Sequence, residues 1–224
     1  MKKIIILIAS VLSTTTIIAQ SLVGVSVNLG NTKIASANKP NYYRNTPVGY
    51  AFDINANLHL NTSKRFNPKV EFGFGQRSFL ETFTAMYFGS NNQVLIYEDI
   101  NTTTTLNKLQ LNLGTRFNIL NNKHKLFVDV MMGNNIIVSG KTVRAASNYT
   151  GAEQVSVAQK SSPYYVSFPI SIGYNYNNKF SVAIFTNPAI TAYDETFYSK
   201  RLNTYGLSLM CFLPVLGNKK ASKE

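Results

Sequence analysis

Val48-Gly49-Tyr50-Ala51-Phe52-Asp53-Ile54-Asn55-Ala56-Asn57-Leu58-His59-Leu60 sets seven apolar side chains against six small or polar ones in strict alternation. Successive side chains of a β-strand point to opposite faces, so this segment is greasy on one side and carries Asp53, Asn55, Asn57 and His59 on the other. A strand dividing hydrocarbon from a polar interior has this pattern.

Seven further segments repeat it. Val23, Val25, Val27 and Leu29 alternate with Gly24, Ser26, Asn28 and Gly30. Val70, Phe72 and Phe74 oppose Lys69, Glu71, Gly73, Gly75 and Arg77, and Leu109, Leu111, Leu113, Phe117 and Ile119 oppose Lys108, Gln110, Asn112, Gly114, Arg116 and Asn118. The fifth runs Leu126, Val128, Val130 and Met132 against Asp129 and Gly133, then blurs from Asn134 to Ile137, where a bulge is expected. The sixth spans Tyr164 to Tyr176 but contains Pro169, awkward in a closed sheet because proline has no ladder donor. Phe180, Val182 and Ile184 form the seventh apolar face, and Tyr205, Leu207, Leu209, Cys211 and Leu213 the eighth.

The connections alternate in length. Asn31 to Thr46, Leu80 to Thr105 and Lys141 to Ser161 are long, and Ala192 to Asn203 is moderate. Asn61 to Arg65, Asn121 to His124 and Asn177 to Lys179 are tight and rich in turn formers. Short periplasmic turns and long outer loops alternate in this way in outer-membrane barrels. Aromatic residues fall near the strand ends, and Tyr50, Phe79, Tyr164 and Tyr205 are expected to girdle the long-loop side. On the tight-turn side the same role is expected of Phe66, Phe117, Tyr174, Tyr176 and Phe180.

Met1-Lys2-Lys3, the apolar run Ile4 to Leu12 and the Ser/Thr stretch leading to Ala19-Gln20-Ser21 have the layout of a secretory signal peptide, with cleavage expected after Ala19 or Gln20. The expected organisation is a signal peptide over 1–20, a barrel over 21–216 and a short periplasmic tail over 217–224. No apolar run of about 18 residues follows, so any crossing of a bilayer must be made by strands. Hydrophobic residues make up 45% of the chain and charged ones 14%, with abundant aromatic and β-branched types, which favours an all-β fold. Cys211 is the only cysteine, which rules out an internal disulfide and a cysteine-rich zinc site.

The net charge of +12 falls to +10 without Lys2 and Lys3. The basic residues are scattered singly rather than interleaved with aromatics in one patch, so nucleic acid is not expected as a partner. Outer-membrane lipid and lipopolysaccharide phosphates are.

In strand number, polarity and loop alternation the chain resembles the small eight-stranded outer-membrane barrels of the OmpA transmembrane-domain and OmpX type, also described as outer membrane protein beta-barrel domains. The resemblance is architectural. Such barrels often end in an aromatic residue, whereas here Phe212 is followed by Leu213-Pro214-Val215-Leu216 and a charged tail. It implies an eight-stranded antiparallel up-and-down transmembrane β-barrel of a Gram-negative outer membrane. A soluble lipocalin-type barrel would turn the apolar set inward, but roughly three dozen mostly large side chains exceed an eight-stranded bore that is just wide enough to be filled.

Inside such a barrel Asp53, Glu71 and Asp129 would share the lumen with Lys69, Arg77, Lys108 and Arg116. Pairing these charges holds a barrel together; the alternative is a filter for small anions, since bases outnumber acids. His59 and His124 fall at the tight-turn end, where a solvated or hydrogen-bonded role is expected of each, and no nucleophile motif or metal-ligand cluster is visible. No cofactor is expected. The candidate interaction residues are Tyr42, Tyr43, Arg44, Tyr87, Phe88, Tyr97, Tyr149, Phe197 and Tyr198, since exposed Tyr and Arg dominate binding hot spots. Packing on one another or resting at head-group level explains them equally well. Thr102 to Thr105 reads as a plain strand extension. The leading expectation is a non-enzymatic barrel with a structural or surface-interaction role. The alternatives are a narrow porin-like channel and an accessory barrel subunit of a secretion complex.

Overall fold

The computed structural model describes residues 21–36, 43–60, 65–88, 94–120, 123–146, 153–155, 164–192 and 200–213. The expected signal peptide and tail lie outside them. The described residues are strand almost throughout: β1 (Leu22–Ser36), β2 (Tyr43–His59), β3 (Phe66–Phe88), β4 (Val94–Asn118), β5 (His124–Ala146), β6 (Glu153–Val155), β7 (Tyr164–Ser167), β8 (Ile170–Tyr176), β9 (Phe180–Asn187) and β10 (Lys200–Leu213). Every pairing is antiparallel. Neighbours in the chain pair in turn, β1 pairs β10, and the ring closes as an up-and-down barrel. It has eight walls, because β7 and β8 both pair β5 in one continuous register and β6 is a short addition to the outer end of β5.

Pro169 explains why the sixth predicted strand is two. Its missing N–H interrupts the wall at Phe168-Pro169, yet its carbonyl still accepts from Met131 N at 2.9 Å. Phe168 N finds its acceptor at Pro188 O, also 2.9 Å. The expected bulge in the fifth strand lies slightly further out: Lys108 pairs with Ile137 and Asn107 with Ser139, leaving Val138 over. The blur at Asn134 has another cause. This residue keeps its outward position and accepts a hydrogen bond of 2.5 Å from the Tyr164 hydroxyl on the neighbouring wall.

The tight turn after β8 uses Asn177 and Asn178 with φ of 49° and 53°, the left-handed region in which asparagine is favoured among residues with a side chain. Lys179 N closes it on Tyr176 O at 2.9 Å.

Along the middle of the barrel the exterior is apolar: Val25, Leu29, Ile54, Phe72, Leu111, Met132, Ile172, Ile184, Leu207 and Leu209 are all exposed. Cys211 is on this face. At its long-link edge the belt gives way to an outward polar ladder crossing four strands. The Tyr50 hydroxyl donates to Gln76 Oε1 at 3.0 Å, Gln76 Nε2 to Asn107 Oδ1 at 3.0 Å, and Asn107 Nδ2 to Ser139 Oγ at 2.8 Å.

The long link expected from Leu80 to Thr105 is corrected. β3 and β4 continue through most of it, pairing as far as Phe88 with Val94, so Tyr87, Phe88 and Tyr97 lie on strands. Thr102 to Thr105 is strand, as expected. Tyr43 and Arg44 begin β2. Tyr42, Tyr149, Phe197 and Tyr198 fall outside the described residues.

Candidate functional site

The inward positions of β2, β3, β4 and β5 carry all seven charged residues singled out in the sequence, while those of β8, β9, β10 and β1 include the small Ser171, Ser181, Ala183, Ser208 and Ser26 beside Asn28, Asn175 and Met210. This asymmetry lets side chains from one half of the wall reach across the bore. All seven charged residues singled out in the sequence point inward and are buried.

They form two connected groups. Nearer the long-link end, Arg77 Nη2 lies 2.8 Å from Asp53 Oδ2, and its Nε donates across the barrel to Thr204 Oγ1 at 3.1 Å. Lys108 Nζ donates to Gln110 Oε1 at 2.5 Å and Asn135 Oδ1 at 2.7 Å and stands 3.9 Å from Asp53 Oδ1. Gln110 in turn donates to Asn55 Oδ1. Gly73 and Gly75 are needed here, because the Asn55 and Asp53 side chains occupy the space where a Cβ on either glycine would stand.

Nearer the short-link end, Asp129 is the hub. Arg116 grips it with Nε at 2.7 Å and Nη2 at 2.9 Å, and Lys69 Nζ reaches it at 2.7 Å. The same lysine lies 2.6 Å from Glu71 Oε1, and Glu71 Oε2 accepts from Asn112 Nδ2 at 2.9 Å. The Arg116 guanidinium also lies over the Phe127 ring, 3.5 Å from its centroid. A bidentate arginine and the amides of Gln110, Asn112 and Asn135 supply compensation of the kind a buried charge requires.

Two features of the bore were not read from the sequence. First, above the charges sits an apolar layer of Ile34, Phe79, Leu106, Tyr165, Ala189 and Leu202, all buried, with the ion pair of Lys200 and Glu81 at 3.1 Å further out. Phe79 was expected in an outer girdle; it points inward, 3% exposed. The pleat fixes its side, since Arg77, Gly75 and Gly73 precede it at every second position of β3. A signal was present: near each outer end the apolar residue changes parity, from Leu109 to Leu106, Leu207 to Leu202, Leu29 to Ile34 and Phe74 to Phe79.

Second, His59 is withdrawn from bulk solvent. It is buried inside the short-link mouth, edge-on to Phe212 with ring centroids 5.4 Å apart. His124 faces outward, and its Nδ1 contacts the Tyr174 hydroxyl.

Between the mouth and the apolar layer remains a cavity of about 30 Å³ lined by Asn28, Asp53, Glu71, Asn112, Asp129 and Ser208 among others. Room of that order holds one or two waters among such polar walls. Arginine, lysine, histidine and aromatic side chains fill the bore above and below it. Among the described residues no group of three His, Cys, Asp or Glu could hold a metal ion.

No protein-family model matches the sequence, and no curated protein matches it. The structure is similar to two solved structures of Ail, the attachment invasion locus protein of Yersinia pestis. One has 10% identity over 87% of this chain and 99% of that chain with a TM-score of 0.45. The other, in complex with the heparin analogue sucrose octasulfate, has 11% identity over the same shares and a TM-score of 0.43. It is also similar to Neisserial surface protein A, at 7% identity over 84% of this chain and 96% of that chain with a TM-score of 0.38.

Proposed function

We propose that the chain is a non-enzymatic outer-membrane barrel, delivered by the segment 1–20 as a signal peptide, whose working part is the sheet raised at its long-link end. The exposed apolar belt supports the membrane location, because a water-facing barrel would not leave Ile184 and Leu209 62% and 56% exposed amid a ring of similar residues. The single observation that carries the surface role is the overgrowth of one hairpin. Among the described residues β3 pairs β2 as far as Tyr43–Phe83, β4 pairs β5 as far as Ile100–Ala146, and the β3–β4 pairing runs on beyond both. Thr84–Phe88 pairs with Val94–Asp99, extending the hairpin by about 17 Å. A hairpin carried beyond the apolar belt offers another protein a rigid surface to dock on. In this reading the seven lumen charges are structural, and outer-membrane lipid and lipopolysaccharide surround the belt.

Photo-crosslinking on intact cells tests it. Crosslinkers at Thr84 and Tyr97 should give protein adducts, and one at Ile172 in the belt should give lipid adducts. Protein adducts absent from both ribbon positions would remove the surface role.

The channel reading requires an open bore, and the buried layer around Phe79 and Leu106 argues against it. Planar-bilayer recordings of the purified chain should stay at the leak level; stepwise conductance would restore that reading.

A further inference from the structure

Each of the three short links delivers a basic residue immediately before a ring that opens the next strand: Arg65-Phe66, Lys123-His124 and Lys179-Phe180. All six side chains are exposed. The rings gather on the exterior in two clusters. Phe66 meets Phe117 with centroids 4.9 Å apart, and Tyr176 lies between His124 at 5.4 Å and Phe180 at 5.6 Å. Aromatic side chains of this kind settle at the boundary between hydrocarbon and head groups, so a cation one residue further along stands at phosphate depth.

Charge is segregated along the barrel axis. The links Asn61 to Arg65, Asn121 to His124 and Asn177 to Lys179 hold Lys64, Arg65, Lys123 and Lys179 and no acidic residue. The four longer links, from Asn31, Leu80, Lys141 and Ala192 onwards, hold eight basic residues against six acidic ones. The long-link end is thus nearly balanced, while the short-link end carries cations with no carboxylate in its links to neutralise them. The lumen acids do not serve, since Asp129 and Glu71 are already held by Arg116 and Lys69.

We propose that the short-link end is a binding rim for anionic phospholipid head groups of the leaflet it faces, with Arg65, Lys123 and Lys179 as the phosphate contacts. The inference rests on the membrane reading of the barrel. Three separated cations distribute the contact around the circumference, so the rim selects for charge and leaves acyl chains unread. Attraction between exposed cations and a charged surface is screened by salt, which separates this mechanism from simple fit to the belt.

The full chain is reconstituted into phosphatidylcholine vesicles containing spin-labelled phosphatidylglycerol or spin-labelled phosphatidylcholine, and the immobilised fraction of each label is compared. The wild-type chain should enrich phosphatidylglycerol at low salt and lose the preference at high salt. The variant Arg65→Gln/Lys123→Gln/Lys179→Gln should lower that enrichment by about tenfold or more. The outer variant Lys33→Gln/Lys141→Gln/Arg201→Gln should retain it. Undiminished enrichment in the first variant, or loss only in the second, overturns the proposal. A salt-insensitive preference in the wild-type chain does so without any variant. Insertion is read separately from the electrophoretic mobility shift between unheated and heated samples in phosphatidylcholine alone. A chain that shows no shift there fails the membrane reading itself, and the rim with it.

Discussion

The lower bore and the layer above it occupy the same barrel and face the same way, yet one is built of Asp129, Arg116, Lys69 and Glu71 and the other of Phe79, Leu106, Tyr165 and Leu202. Outside, the polarity is reversed around the charges and along the β1, β3, β4 and β10 side of the apolar layer. Around the charges the exterior is Leu111, Met132 and Ile172; beside Ile34, Leu202 and Phe79 it is Lys33, Arg201 and Thr103, while Tyr164 and Ile190 keep an exposed ring and aliphatic chain beside Tyr165 and Ala189. The pleat decides which side chains face in, and the medium outside decides which of the two faces is greasy. In hydrocarbon the apolar face turns out and the bore must neutralise its own charges. In water the same wall behaves as an ordinary soluble sheet with a hydrophobic interior.

The sharpest way to break this contrast is to remove the hub of the lower bore. Asp129→Ala leaves Arg116 and Lys69 buried without their shared carboxylate and should cost about 3–5 kcal/mol, read from urea unfolding of the vesicle-inserted protein. A cost near zero would mean that water reaches these groups freely and that the bore is open. The layer above is probed by Leu106→Ala, at a residue 1% exposed, which should cost about 3 kcal/mol through lost burial and a cavity. Tolerance of that substitution would make the layer an incidental contact and reduce the two regions to one. The smallest effect is expected where the media meet. Asn107→Ala removes the middle of the outward ladder from Tyr50 to Ser139 and should cost about 1 kcal/mol in the same assay, since the remaining groups are near enough to water to be re-solvated.

Most of the lower region was legible from residue parity alone. The alternation from Val48 to Leu60 put Asp53 on the polar side, and the same rule put Lys69, Arg77, Lys108, Arg116 and Asp129 beside it. Pairing could not be read, because Lys69 meets Asp129 only after β3, β4 and β5 are in register across the sheet. The apolar layer was missed for a different reason. A change of medium along one strand shifts the greasy residues by one position, and a rule that seeks a single phase reads Ile34, Leu106 and Leu202 as the loss of a strand. Leu80 to Thr105 reads as a link on the same ground. Its hairpin is held by backbone pairing that no alternation of side chains announces.

The seam between β1 and β10 carries one more implication. It joins Val23 to Leu213 and continues to Ser36 with Lys200, whereas the tight turn at Asn177-Asn178 joins strands that are immediate neighbours in the chain. Bringing the two ends of the sequence together demands the greatest loss of chain entropy, so assembly should begin at the β8–β9 hairpin and finish at this junction. Until then both terminal strands present bare main-chain donors and acceptors, the period in which the nascent sheet is most prone to join another of its kind.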